Sequence, residues 1–490
     1  MNTKLVEKNL GKITSKDFSD ISVKNEDWKY TGKNVYSVNE FEVGKPVNIE
    51  KNETFNIDTN CHEFVVNVEE EKIEVIDIAK IKKPIIDESI KRPFDKFLVE
   101  QFEKLTGGFQ LNVKDDFSQY YSVNFQNKET AVPYLGVNVA KNKSGKLFLN
   151  FGDLVNGNIF PAIELFLEQN ATLELIINVT SKNDISIVNN LYAKLLNDAN
   201  LSVHMVSTGG LFSRSRLDID LYGNGSGFEI DGVYFGENAQ IHDTRVFVNH
   251  LGKSTTSNMI TKGVLGDESS SIFTGTIHIA EGAVKTESQQ ENRNIILTEK
   301  ASAQSVPNLE ILCDDVICGH GSSVGPIDET LFHYVMSRGI NKEDAEKLLI
   351  KGFFNEVINE DAWEIIHDEV ADTLAKKYEN ILGRKSDEVK TINTSEVNEN
   401  SVKVVSIDDK DIAIFNVEGE YFAIDDMCSH AEASLAEGEV FDCKIECPLH
   451  GAEFDLKTGE AVTLPATKPV ATYEITVEDE VIYLEMEDNA

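Results

Sequence analysis

Cys428-Ser429-His430 and Cys447-Pro448-Leu449-His450 are the residues of this chain best suited to chemistry. They read C-x-H, sixteen intervening residues, then C-x-x-H. Two thiolates and two imidazoles in this arrangement suit a [2Fe–2S] cluster in which cysteine holds one iron and histidine the other. A structural zinc site uses the same four ligand types. Zinc fingers, however, put their cysteines on one turn and their histidines on another, whereas each loop here offers one of each. Gly451 follows His450 directly, and Leu464-Pro465-Ala466-Thr467-Lys468-Pro469 supplies a third loop to cover the cluster. Spacing, order and flanking turns together favour iron–sulfur over zinc. Cys443, four residues before Cys447, reads as a packed or surface thiol rather than a ligand.

These motifs resemble the ferredoxin-type Rieske proteins, over about residues 401 to 487. The respiratory Rieske type carries an extra cysteine after each ligand pair, and the two form a disulfide. Ala433 and Leu449 stand at those places here, so that bridge is absent. Ala452 and Phe454 stand where the respiratory type offers Ser and Tyr hydroxyls to the cluster sulfurs. Fewer hydrogen bonds to sulfur stabilise the reduced cluster less, so the resemblance implies a potential toward the lower end of roughly −150 to +300 mV.

At 490 residues the chain has room for two or three domains. The first twenty residues contain no apolar signal-like core, and no apolar run is long enough to span a bilayer, so no membrane is expected. Six cysteines, two of them assigned to the cluster, make no disulfide framework, and a cytoplasmic location is expected. The formal charge of −38 argues against nucleic acid, whose affinity comes chiefly from Lys and Arg. Residues 401–490 carry 9 Asp and 13 Glu against 5 Lys and no Arg. That excess reads equally well as a solubilising surface and as a face that steers toward a basic redox partner.

The elements that position these residues follow from pattern. Residues 1–110 are mixed, with a helix expected near Phe94–Leu105. Residues 111–327 carry short β-like runs, including 172–179, 201–206, 228–235, 271–279 and 294–297, bounded by Gly, Asn, Asp and Ser. A helical interval is expected around Asp184–Asp198. Turns recur every 14 to 20 residues or so, from Gly236-Glu237-Asn238-Ala239 to Gly319-His320-Gly321, which suits stacked coils of strands over a β-sandwich. Residues 328–383 read as three helices: Asp328 caps the first, Asn341 opens the second, and the third starts near Asp361 and ends before Gly383. Residues 384–400 are polar and aperiodic and read as a linker to the module at 401–490.

A second informative stretch joins coils to helices. Leu309-Glu310-Ile311, Asp314-Asp315-Val316, Cys318, His320-Gly321, Val324-Gly325, Ser337-Arg338-Gly339-Ile340 and Gly352-Phe353 resemble the SufD subunit of the SUF iron–sulfur cluster assembly system. Lys262-Gly263-Val264-Leu265, Phe273-Thr274-Gly275, Gln289 and the early Glu26-Asp27-Trp28-Lys29-Tyr30 fit the same family. The resemblance implies a mainly β fold with helical flanks: a right-handed parallel β-helix core, a C-terminal helical segment that docks a SufC-like ATPase, then the small antiparallel β Rieske domain. It implies pairing of the β-helix with that of a SufB-like protein, and a transient Fe–S cluster on the assembly complex. By match to the family motif His320 is the implicated residue, with Cys318 its neighbour.

Alone, a Cys and a His two residues apart on a strand project to one side and reach one metal, but such isolated pairs are more often packed or turn residues. Cys313 departs from the family, which commonly has Ala there, and Asp314 and Asp315 read as a polar turn. The expected function is a scaffold, not an enzyme, with a fused one-electron carrier. The alternative is a Rieske electron carrier for an oxygenase, with the β-rich region as a docking body. A complete Rieske oxygenase is disfavoured, because no two histidines stand at the H-x₄-H spacing its mononuclear iron needs. No G-x-x-x-x-G-K-[ST] loop is present, so ATP hydrolysis falls to a partner. A flavin bound without a dinucleotide motif is a further candidate cofactor.

Overall fold

The computed structural model describes residues 55–58, 62–67, 72–78, 96–127, 129–151, 157–181, 185–358, 363, 366–407, 410–431, 433–478 and 481–485. Glu26-Asp27-Trp28-Lys29-Tyr30 lies outside the described residues. The chain divides into two compact units, Met1–Lys377 and Tyr378–Ala490.

Two sheets of ten and nine strands run through the first unit. From the strand Gly107–Val113 onward, consecutive strands fall in opposite sheets, and each pairs in parallel with the strand two places later. The result is a two-sheet β-solenoid. Equivalent residues of neighbouring coils stand 26 to 32 positions apart, as Ser186 and Phe212 or Ser270 and Ser302 do. The described strands Phe55–Asp58, His62–Asn67 and Ile73–Asp77 join the same sheets by antiparallel pairing, so the sheets begin ahead of residue 111.

The corners explain why these sequences coil. Asn142, Asn170 and Asp198 each take a positive φ, which Asn and Asp tolerate better than other side chains. Asn170 Nδ2 donates to Asn142 Oδ1 at 3.1 Å, tying one corner to the next. Between corners, alternate residues point inward, and those from Ile73 to Ala283 merge into one apolar core.

The helix expected over 184–198 is instead the strand Ser186–Leu195. Ile187, Leu191 and Leu195 stand four apart and imitate a helical stripe. All ten residues of the strand are buried, because a helix and neighbouring segments cover the outer face as the coil covers the inner one, and this hides the alternation. Gly319-His320-Gly321, expected as a turn, lies within the strand Val316–Gly325. The turn falls earlier and contains Asp314 and Asp315.

Helix α1 (Lys96–Glu103) packs on the outer face of one sheet, with Phe97 edge-on to Phe160 at 5.4 Å. Helices α2 (Glu329–Met336) and α3 (Lys342–Asn355) are capped as expected. Asp328 accepts from the Leu331 N–H at 2.9 Å, and Asn341 from the Asp344 N–H at 2.8 Å. The end of α3 lies against the outer face of the other sheet. There Phe354 meets Phe235 at 6.4 Å, and Lys262 donates to the Phe353 carbonyl at 2.9 Å and pairs with Glu356. Helix α4 (His367–Lys390) starts later than expected and runs past Gly383. Its C-terminal half is a charged sequence without an apolar stripe, which is why it reads as linker.

The second unit holds a six-stranded and a three-stranded antiparallel sheet. Its strands begin before residue 401, since Thr391–Asn393 pairs with Val481–Tyr483. Among the described residues no helix is long and apolar enough to cross a membrane.

Two histidines sit inside the solenoid. His242 Nδ1 lies 2.9 Å from Ser207 Oγ, and burial, aided by Lys377, holds its pKa down to about 3. His250 lies 2.8 Å from Thr255 Oγ1 and 3.0 Å from Ser257 Oγ, and burial holds it down to about 4. In the unfolded chain each titrates near 6.5. Both depressed values favour the fold above pH 6.5, and that stability drains away as pH falls toward 4 and then 3. A His250→Asn variant should therefore show a shallower fall of Tm between pH 6.5 and 4.5 than the parent. Parallel Tm–pH curves for the two would remove His250 from the acid response.

Candidate metal centre

Two loops of the second unit bring the four predicted ligands together. Cys428 and Cys447 are 4% and 1% exposed and pack with Leu435, Ile445, Ala452 and Phe454. His430 is half-buried and His450 exposed. The ligand atoms of Cys428, His430 and Cys447 lie within 4.8 Å of one another. His430 Nδ1 is 2.9 Å from Cys428 Sγ, and His450 Nδ1 is 2.9 Å from His430 Nε2. Burial, with Cys447 alongside, pushes the Cys428 thiol above its ordinary value. Such a thiol keeps its proton while no metal is bound and would release it to solvent on ligating iron. Two buried sulfurs and two outward rings converging on one gap fit a [2Fe–2S] cluster ligated through sulfur on its inner iron and imidazole on its outer one.

Backbone geometry aims these side chains. The Cys428 N–H donates to the Ala433 carbonyl at 2.9 Å, and the Cys447 N–H to the Ala452 carbonyl at 2.7 Å, so each ligand pair rides on a closed turn. Gly451 closes the second turn at φ +68°. The third loop is tied in: Ser429 Oγ donates to the Lys468 carbonyl at 2.6 Å. Sequence reasoning missed Asp426. Its carboxylate accepts from Ser434 Oγ and the Ala436 N–H, both at 2.9 Å, and so braces the first loop. The signal was an acidic pair, Asp425-Asp426, one residue ahead of the ligand string, in a chain too acidic for it to stand out. Cys443 sits at a hairpin turn with φ +56°, half-buried against the same core.

In the first unit, Cys318 and His320 lie in the last coil. Their strand, Val316–Gly325, ends the ten-stranded sheet, and Ser302–Ile311 ends the nine-stranded one. Cys318 registers on Ser288, and His320 on Gln290. Ser288 and Gln290 are inward, buried positions, so Cys318 and His320 continue inward columns at the free end. Cys318 is half-buried and its thiol is pushed up by burial, while His320 is exposed. Cys313 packs beside the same core from the preceding turn.

Residues 122–353 match the SufBD core domain of the SUF iron–sulfur cluster assembly system, and 387–474 the Rieske [2Fe-2S] domain. An iron–sulfur cluster assembly SufBD family protein of Mycobacterium leprae is 30% identical over 278 residues, 54% of this chain and 71% of its own length. The chain belongs to the SufBD family. Iron–sulfur cluster assembly protein SufD of Bacillus subtilis is 38% identical over 163 residues, 33% of this chain and 37% of that protein. The Rieske unit has a separate kinship. The ferredoxin subunit of 3-phenylpropionate/cinnamic acid dioxygenase from Photorhabdus laumondii is 53% identical over 75 residues, 15% of this chain and 71% of that subunit. This is thus a SufBD-family chain with a Rieske ferredoxin domain, and the domain implies a [2Fe–2S] cluster.

Ala452 and Phe454, both fully buried beside the cysteines, offer no hydroxyl to the cluster. A hydrogen bond that favours the reduced state by about 1 kcal/mol corresponds to about 40 mV for one electron. Phe454→Tyr should raise the midpoint potential by that order in redox titration, and Ala452→Ser with it should raise it further. An unchanged potential in the double variant would mean that neither position reaches the cluster sulfurs.

Proposed function

We propose that this SufBD-family chain is a SufD-like subunit of a cytoplasmic cluster-assembly scaffold, and that its Rieske unit supplies electrons to the assembly. The reading rests on the open last coil. Along Ser302–Ile311 and Val316–Gly325 one side of each strand has no neighbouring strand among the described residues, which invites pairing with another chain. Ile311, Leu312, Ile317 and Val324 are exposed there and add apolar area of the kind an interface buries. A SufB-like solenoid is the partner such an edge fits, with His320 and Cys318 at the join. Leu331, Tyr334 and Leu348, exposed on α2 and α3, offer a separate face to a SufC-like ATPase. The chain itself catalyses no ATP hydrolysis in this reading.

Iron and sulfur arrive as substrates and need reducing. Sulfane sulfur takes up two electrons to become sulfide, and Fe(III) takes one to become Fe(II). A [2Fe–2S] cluster held by Cys428, His430, Cys447 and His450 supplies one electron at a time. Covalent attachment raises the local concentration of a carrier to roughly millimolar when the tether matches the span. The exposed His450 leaves the histidine side of the site open to a redox partner. The kinship to a dioxygenase ferredoxin subunit favours a second reading, an electron carrier for another redox system that uses the solenoid only for docking.

Anaerobic co-purification with SufB-like and SufC-like proteins separates the two. The first reading expects a stoichiometric complex with a Rieske-type EPR signal after dithionite. In that complex His320→Ala should lower cluster formation about tenfold or more without changing subunit composition. A chain that carries the signal but ignores both partners is the electron carrier instead. If His320→Ala disperses the complex, His320 serves assembly of subunits rather than of clusters.

A further inference from the structure

Three loops meet at the candidate metal centre, and two hydroxyls join them. Ser429, between the ligands Cys428 and His430, turns its Oγ to the third loop and donates to the Lys468 carbonyl at 2.6 Å. Thr463, at the other end of that loop, reaches the second ligand loop. Its Oγ1 accepts from the Glu453 N–H at 2.8 Å and donates to the Gly451 carbonyl at 3.4 Å. These two bonds grip the backbone on either side of Ala452, whose carbonyl takes the Cys447 N–H at 2.7 Å. Residues 463–468 therefore form a strap with one end on each ligand pair. Midway along it Ala466 is 4% exposed and packs in the core that holds Cys428 and Cys447.

The other bonds around the ligands are of a different kind. Those from Ser434 and the Ala436 N–H to Asp426 stay within the first loop. Those from the Cys447 N–H to the Ala452 carbonyl, and from the Gly451 N–H to the Cys447 carbonyl at 3.0 Å, stay within the second. They shape each loop and leave the spacing between the loops open. The respiratory Rieske type spans its ligand loops with a disulfide, and Ala433 and Leu449 take those places here. The strap crosses from one ligand pair to the other, so its two end bonds can set the spacing that the local bonds cannot. Beyond Lys468 the chain returns to the sheet, where the Asp425 N–H donates to the Ala471 carbonyl at 2.9 Å.

We propose that Ser429 and Thr463 are positioning residues of the Rieske centre: through the strap they hold the two histidine-bearing loops at the spacing a [2Fe–2S] cluster needs. This rests on the Rieske unit alone and is independent of the scaffold reading. Neither hydroxyl ligates iron. Each acts through backbone, Ser429 on the segment between Cys428 and His430, Thr463 on the turn that aims Cys447 and His450. Groups behind the ligands govern both metal retention and electronics. A slack strap lets the loops part and admits water between them. Water stabilises the reduced cluster, which carries one more negative charge than the oxidised one, so slackening raises the midpoint potential. It also opens the iron to competing ligands.

The test uses the full chain loaded with its cluster and kept anaerobic. Three quantities are read: the midpoint potential by redox titration, the EPR g values after dithionite, and the rate at which EDTA bleaches the cluster absorption. Ser429→Ala should raise the potential, shift the g values and speed bleaching about tenfold, the order expected when a group behind a metal ligand is removed. Its Tm should match the parent's, because Ser429 is exposed and truncation opens no cavity. Ser429→Thr keeps the hydroxyl and should restore all three readings. The two ends of one strap should also be coupled: in a Thr463→Val chain, where the strap is already slack, Ser429→Ala should speed bleaching less than it does in the parent. Three results overturn the proposal. One is a Ser429→Ala chain with the parent's potential and g values, whatever its bleaching rate. Another is a Ser429→Thr chain that folds and behaves as the alanine variant does. The third is an undiminished effect of Ser429→Ala in the Thr463→Val chain, which would make the two hydroxyls separate local props.

Discussion

Parallel, in-register stacking of coils is the constraint on which the first unit depends. Each inward residue sits on the inward residue of the coil before, so the interior is a set of columns rather than a set of neighbours in sequence. One column runs Leu201, Phe228, Ser257, Ser288, Cys318, and the next Val203, Ile230, Met259, Gln290, His320. Both begin apolar and end polar. Early coils bury Leu, Ile and Val in one continuous core, and late coils bury hydroxyls and amides that tie one another down. The solenoid thus carries its apolar core toward one end and its buried polar network toward the other. Burying polar groups is tolerable only where partners exist. The late coils meet that requirement at Ser288, Asn292 and Asn294.

What was legible in the sequence follows from how local each feature is. Cys428, His430, Cys447 and His450 could be read because each pair is set by a single tight turn, with Gly451 beside it. The coils could be inferred because Asn and Asp recur at corners that need positive φ. The strand Ser186–Leu195 could not, because burial on both faces erases the period-two pattern. Nor could the surroundings of His320 be read. Its register neighbour Gln290 lies a whole coil earlier, and the number of residues per coil varies enough that no fixed period identifies it. Glycines flanking His320 imitated a turn, whereas they keep an edge strand bare of side chains next to an exposed imidazole.

The second unit solves a different problem. Its candidate centre is closed on the sulfur side and open on the imidazole side: Cys428 and Cys447 are packed among Leu435, Ile445 and Phe454, and His450 faces solvent. Burial favours a site that retains its metal, since release would expose thiolates to an apolar surround. The outward histidine keeps that side of the site in contact with solvent. Asp426 and the Ser429–Lys468 bond fix the loops independently of any ligand, so the geometry need not be assembled by the metal itself.

The two units therefore surround their Cys and His side chains in two different ways. A resident cluster needs four donors and an apolar wall, and the Rieske unit provides them from two short loops. An ion that must arrive and leave needs fewer donors and a way out. The last coil offers Cys318 half-buried and His320 exposed, on a strand whose outer edge has no neighbour among the described residues. Fewer donors and an uncovered edge leave that end open to groups from another chain, which the closed shell of the Rieske unit excludes.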